Sequence, residues 1–147
     1  MNQYRKYLFV FAAVLLCTDF LAGCEKVNGT TGSGEAKEAV YTKITAKQAK
    51  DMMDNGNPYI LLDVRTKEEF REKRIPGAIL IPNTEIRDRA EKELPDKDAV
   101  IFVYCRSGGR SAGAAHELVA MGYTRVYDIG GIMNWPYDTV RGEGGYQ

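Results

Sequence analysis

From about residue 44 to residue 140 the apolar and polar positions switch repeatedly between a helical and a strand-like period. Thr45-Ala46-Lys47-Gln48 fits a capping box, with Ile44 before it as a hydrophobic staple, and predicts a helix to about Asn55, stopped at Gly56. Tyr59-Ile60-Leu61-Leu62-Asp63-Val64 is nearly continuously apolar, as in a strand covered on both faces. Thr66-Lys67-Glu68-Glu69 is a second capping box and opens a short helix through about Lys73. Pro76-Gly77 turns the chain into Ala78-Ile79-Leu80-Ile81, a short strand closed by Pro82. A charged amphipathic helix comes next over about Thr84 to Leu94, ended by Pro95. Residues 99–104 read as the next strand, and Ser111 to Met121 as a helix ended by Gly122. Arg125-Val126-Tyr127-Asp128 is the last strand, succeeded by Gly130-Gly131 and a short helix near Ile132 to Trp135. Strands separated by helices imply an α/β fold, a parallel sheet with helices on both faces. Ligands in such folds sit beyond the carboxyl ends of the strands.

The first forty residues are different material. Arg5 and Lys6 precede an apolar run from Tyr7 to Cys17, and Leu21-Ala22-Gly23-Cys24 comes next. A basic start, a short apolar stretch and small residues at a cleavage point predict a secretory signal over residues 1–23. Its unbroken apolar run of about 11 residues is short of the roughly 20 that a spanning helix needs. Leu21 to Cys24 resembles the lipobox of bacterial lipoproteins. That resemblance implies cleavage before Cys24, a lipid on its sulfur and an acylated new N-terminus. Two or three acyl chains, each CH₂ worth about 0.8 kcal/mol, would anchor an extracytoplasmic domain to a bacterial membrane. Residues 24–39, with Gly29, Thr30, Thr31, Gly32, Ser33 and Gly34, have little to bury and predict a flexible tether. The packed domain is expected over residues 40–141, with residues 142–147 as a flexible tail.

The charge balance changes the picture only by exclusion. Removing residues 1–23 takes Arg5, Lys6 and Asp19 from 20 basic and 20 acidic residues, leaving 18 and 19, a net charge of −1. No sustained basic block remains, so nucleic acid is not an expected partner. Of three cysteines, Cys17 leaves with the signal and Cys24 carries lipid on this reading, so Cys105 stands alone in the domain. That excludes an internal disulfide and a cysteine-rich metal site, and no cofactor or metal is expected. Nothing in the pattern specifies an oligomeric state.

The chemistry gathers in Cys105-Arg106-Ser107-Gly108-Gly109-Arg110-Ser111. A thiol at the end of a buried strand here meets a glycine-rich turn and the start of a helix. Backbone N–H groups and the positive end of the helix dipole favour negative charge at that place, and the thiolate is the nucleophilic form of cysteine. Gly108 and Gly109 allow positive φ and a close approach to ligand. Arg106 and Arg110 add attraction for an anion. The single histidine, His116, lies in the helix after the turn, so a papain-type Cys–His mechanism has little support.

Taken in order, several pieces resemble a single-domain rhodanese over about residues 41–140. They are Leu62-Asp63-Val64-Arg65, Glu69-Phe70, Ile75-Pro76-Gly77-Ala78-Ile79, Tyr104 to Ser111, and Gly130-Gly131 with Trp135. The resemblance implies a three-layer rhodanese-like fold with a central parallel sheet of about five strands. It implies a sulfurtransferase in which the Cys105 thiolate takes the outer sulfur of a small anionic donor such as thiosulfate. The resulting persulfide would pass its terminal sulfur to cyanide or a thiol. Arg106, Ser107, Gly108, Gly109, Arg110 and Ser111 would form the substrate cradle, with Asp63 and Arg65 as loop support. By the same analogy Arg110 braces the cradle against Asp63 or Glu69. Trp135 is expected to pack rather than to bind substrate. One departure is Arg74, where the family often has histidine, with an altered surface as the expected effect.

Two other classes compete. A phosphatase would need a Cys-x5-Arg loop to encircle a tetrahedral anion, whereas Cys105 and Arg110 enclose four residues. A non-catalytic binding module of the same fold is the other, and the intact Cys105 and loop arginines weigh against it.

Overall fold

The computed structural model describes residues 40–142; the signal, Cys24, the tether and residues 143–147 lie outside them. A five-stranded sheet runs in the order β1-β5-β4-β2-β3. Its strands are β1 (Thr42–Lys43), β2 (Ile60–Asp63), β3 (Ile79–Leu80), β4 (Val100–Cys105) and β5 (Arg125–Gly131). All neighbouring pairs are parallel. Four helices, α1 (Ala46–Met53), α2 (Lys67–Glu72), α3 (Ile86–Glu93) and α4 (Gly109–Ala120), join them, and a 3₁₀ turn at Ile132–Asn134 comes after β5.

Strand alternation divides the core in two. On β4, Ile101, Val103 and Cys105 face the layer made by Ile86, Ala90 and Leu94 of the α3 segment and Ala114, Ala115 and Leu118 of α4. Phe102 and Tyr104 face the opposite layer, with Ala49 and Met53 of α1 and Phe70 of α2. A strand covered on both faces must be apolar throughout, which is why β2 and β4 read as unbroken apolar runs. Trp135 is packed in the second layer, edge-on to Tyr137, as expected.

Both capping boxes form. Thr45 and Gln48 satisfy each other's backbone N–H groups at the start of α1, and Thr66 and Glu69 do so at α2. Elsewhere the boundaries move. The fifth strand is β1, which the apolar pattern does not reveal, because both its residues are exposed and it pairs only with β5. Strand β5 runs on through Gly131, and its register against β4 shifts between Val103 and Tyr104. Helix α4 starts at Gly109, two residues earlier than expected, and α3 starts at Ile86 rather than Thr84. Arg74, expected to alter the surface, is instead buried: its guanidinium stacks on the Phe70 ring and donates to the carbonyls of Phe70 and Gly142. Its backbone also exchanges both hydrogen bonds with Val140. Gly142 in turn donates its N–H to the Arg71 carbonyl, so the chain stays attached to α2 through that residue.

The strand order places the site. The connection leaving β2 runs through α2 outward to β3, and the one leaving β4 runs through α4 the other way to β5. These neighbouring strands therefore open a crevice at their carboxyl ends, between diverging connections. Because Leu118 is fully buried beneath α4, Leu118→Ala should cost about 2–5 kcal/mol of stability in urea denaturation; a loss below about 1 kcal/mol would contradict this packing.

Candidate active site

Cys105 is the last residue of β4 and is 1% exposed. Arg106 and Ser107 turn the chain outward, and Gly108, at φ +109°, turns it back as the N-cap of α4. That left-handed conformation is open to glycine and strained for other residues. Gly109 does not share it: it is the first helical residue, so only one of the two glycines supplies the positive φ.

The Gly108 N–H donates to Cys105 Sγ at 3.0 Å. Burial pushes the thiol pKa up, but the N–H groups of Ser111, Gly108 and Ser107 and the Ser111 hydroxyl more than offset it, so Cys105 ionises below its ordinary value. The Ser111 hydroxyl also lies 3.0 Å from the Gly108 carbonyl and 3.3 Å from the Gly130 carbonyl. It carries one proton, and so serves the sulfur or a carbonyl at any moment. Around the sulfur, Arg106, Ser107 and Gly109 are exposed, forming a polar rim above a buried floor.

Of the two partners open to Arg110, the structure selects Glu69. The pair is bidentate, Nη1 to Oε2 at 2.7 Å and Nη2 to Oε1 at 2.8 Å. Glu69 Oε2 also accepts the Thr66 N–H at 3.1 Å, so one carboxylate both closes the capping box and holds the loop. Arg110 is the main cause that holds the Glu69 pKa at about 2. Asp63 is engaged by Arg65 instead, through Nη2 at 2.6 Å and Nε at 2.9 Å, with the Arg65 N–H on the same carboxylate. Arg65 Nη2 further donates to the Lys73 carbonyl at 2.6 Å, tying both ends of α2 to the end of β2. Its guanidinium lies 5.5 Å from the centroid of the Tyr104 ring, one residue before the cysteine.

Arg106 is exposed, and its guanidinium has no hydrogen-bond or ion-pair partner among the described residues. Its carbonyl accepts the Met133 N–H at 3.2 Å. At the back of the loop, a Cβ on Gly131 would stand 2.4 Å from the Arg106 oxygen and 2.6 Å from Ser107 Cα. Only glycine fits there. The motif is visible in the sequence, but a contact between Gly131 and a loop 24 positions away is not. His116 is exposed on α4. Among the described residues no group of His, Cys, Asp and Glu could hold a metal ion, and no helix is long and apolar enough to cross a membrane.

Residues 45–137 match the rhodanese-like domain family. The chain belongs to that family. This rhodanese-like domain is 37% identical over 81 residues to the thiosulfate sulfurtransferase PspE of Escherichia coli, covering 55% of this chain and 78% of the relative. It is 38% identical over 103 residues to the adenylyltransferase and sulfurtransferase UBA4 of Candida albicans, covering 65% of this chain but only 24% of that protein. A solved structure described as rhodanese with anions from E. coli superposes with a TM-score of 0.55 at 35% identity, over 58% of this chain and all of the other.

The Glu69 shift has a defined sign. A carboxylate held at about 2 in the fold and near 4.5 when unfolded stabilises the domain above pH 4.5, and that contribution disappears as pH falls towards 2. Glu69→Gln should therefore lower the urea midpoint near neutral pH, with the gap to the parent closing between about pH 4.5 and pH 2. A gap that stays constant to pH 2 would contradict an ionic Glu69–Arg110 contact.

Proposed function

We propose that this domain is a sulfurtransferase that carries sulfane sulfur on Cys105. The observation that carries the reading is the convergence of loop amides on one sulfur atom, which lowers its pKa and so favours the nucleophilic thiolate. In the first step the thiolate attacks the outer sulfur of thiosulfate. A new S–S bond forms to Cys105, the donor's own S–S bond breaks, and sulfite leaves with the electron pair. In the second step cyanide or an acceptor thiolate attacks the terminal persulfide sulfur, and the Cys105 thiolate is the leaving group. Each displacement moves negative charge along a line that ends at Sγ, where the amides of Ser107, Gly108 and Ser111 are already aimed.

The rim supplies recognition. Arg106, exposed and unengaged, is free to pair with the sulfonate end of an anionic donor. Arg110 is committed to Glu69, so its part is to hold the first turn of α4, with Gly109 and Ser111, in place beside the sulfur. The same commitment weighs against a phosphatase, whose loop arginine must reach the phosphoryl group. The name of the E. coli relative, a thiosulfate sulfurtransferase, supports the donor class.

Two experiments test this. The domain should convert thiosulfate and cyanide to thiocyanate, and donor alone should add the mass of one sulfur atom to Cys105; Cys105→Ser should abolish both. Turnover by that variant, or an unchanged cysteine after donor treatment, would exclude the covalent route.

We propose further that lipid on Cys24 holds the domain on the outer side of a bacterial membrane, on the strength of the signal and Leu21-Ala22-Gly23-Cys24. Expressed in bacteria, the chain should partition into detergent and Cys24→Ala should not be acylated. Equal partitioning of parent and variant would contradict the anchor.

A further inference from the structure

Asp128 is fully buried in β5, yet one of its carboxylate oxygens, Oδ2, has no hydrogen-bond partner. An unpaired buried oxygen is costly, and few native groups are left so without a reason. The other oxygen shows the reason. Between β4 and β5 the register advances one residue on β4, from Val103 to Tyr104, but two on β5, from Asp128 to Gly130. Ile129 is thus the extra residue of a bulge, and a bulge takes backbone groups out of the ladder. Asp128 Oδ1 accepts the Gly130 N–H at 2.9 Å, next to this break.

Gly130 and Gly131 form the back wall of the cysteine loop. Gly130 has φ +81°, and its carbonyl faces the Ser111 hydroxyl at 3.3 Å. Gly131 touches Arg106 and Ser107 with no room for a side chain, and the Met133 N–H holds the Arg106 carbonyl. A connected path therefore runs from Asp128 Oδ1 through Gly130 to Ser111, whose hydroxyl meets the Gly130 carbonyl and whose N–H acts on the sulfur. The carboxylate lies on the same face of the sheet as Val126, the face that carries Cys105 and α4.

We infer that Asp128 is a positioning residue for the Cys105 cradle: its side chain pins the bulge at Gly130 so that the Gly130-Gly131 turn sets the Ser107, Gly108 and Ser111 donors around the sulfur. The need is for an acceptor at Oδ1, not for a charge. This rests on Cys105 being the reacting group but not on the identity of its substrate.

The test measures the pH dependence of Cys105 alkylation by iodoacetamide in the full-length chain, read on the Cys105 peptide by mass spectrometry. It needs no sulfur donor, so its outcome is separate from that of the persulfide experiment. Asp128→Leu removes the acceptor, fills similar volume and eliminates the unpaired oxygen; Asp128→Ala gives the same comparison if leucine is not accommodated. Either folded variant should raise the apparent Cys105 pKa by about one unit, a roughly tenfold fall in thiolate below the pKa. Asp128→Asn keeps an acceptor for the Gly130 N–H and should retain the parent profile. The inference is overturned if a folded acceptor-free variant keeps the parent profile, even with a lowered melting temperature. It is overturned equally if Asp128→Asn shifts the profile as far as the apolar substitutions do.

Discussion

A sulfur atom at the end of a buried strand can hold negative charge only if main-chain donors replace the water it has lost. That demand organises this domain. Cys105 sits in an apolar layer, beside Val103 and Ala114, where burial alone would keep it protonated. The left-handed turn at Gly108 folds the loop over it and starts α4 at once, so the amides of Ser107, Gly108 and Ser111 all bear on the same atom. The donors are main-chain N–H groups of the loop and the Ser111 hydroxyl. The charge is stabilised by the path of the chain itself.

A loop that does this work must be held, and its restraints come from both sides. In front, α2 is fixed at its start by the Thr66 capping box and at its end by Arg65 on the Lys73 carbonyl, and it presents Glu69 to Arg110. Behind, the end of β5 presses glycine backbone against Arg106 and Ser107. The Asp63–Arg65 pair is buried, so its desolvation offsets much of its attraction, and its contribution is better understood as fixing geometry than as adding stability. The outcome is a cradle held on both sides, whose one unengaged cation among the described loop residues, Arg106, faces solvent.

Much of this is legible in the sequence because local rules coincide with the fold. Both capping boxes form where the residues predict them, since each satisfies its N–H groups within four residues. Strands β2 and β4 are visible because burial on both faces forces an apolar run. β1 is invisible for the converse reason: Thr42 and Lys43 are exposed at a sheet edge and are held by backbone pairing alone. The early start of α4 is hidden because glycines at an N-cap and first helical position read as loop, although Gly109 is helical. Arg74 misleads because an arginine where the family often has histidine suggests an altered surface, whereas the Phe70 ring and the chain near Val140 and Gly142 close over it. Long-range contacts, Gly131 on Arg106 and Glu69 on Arg110, leave no periodic trace; for Arg110 the sequence supplies two candidate carboxylates, and only folding chooses between them.

The central claim is that the folded loop, rather than the amino-acid context of Cys105, favours the thiolate. It is tested most directly by measuring alkylation of Cys105 against pH in the native chain and in the same chain unfolded in urea. The account predicts an apparent pKa in the native state clearly below that of the unfolded chain. Equal values, or a higher one in the native state, would contradict it.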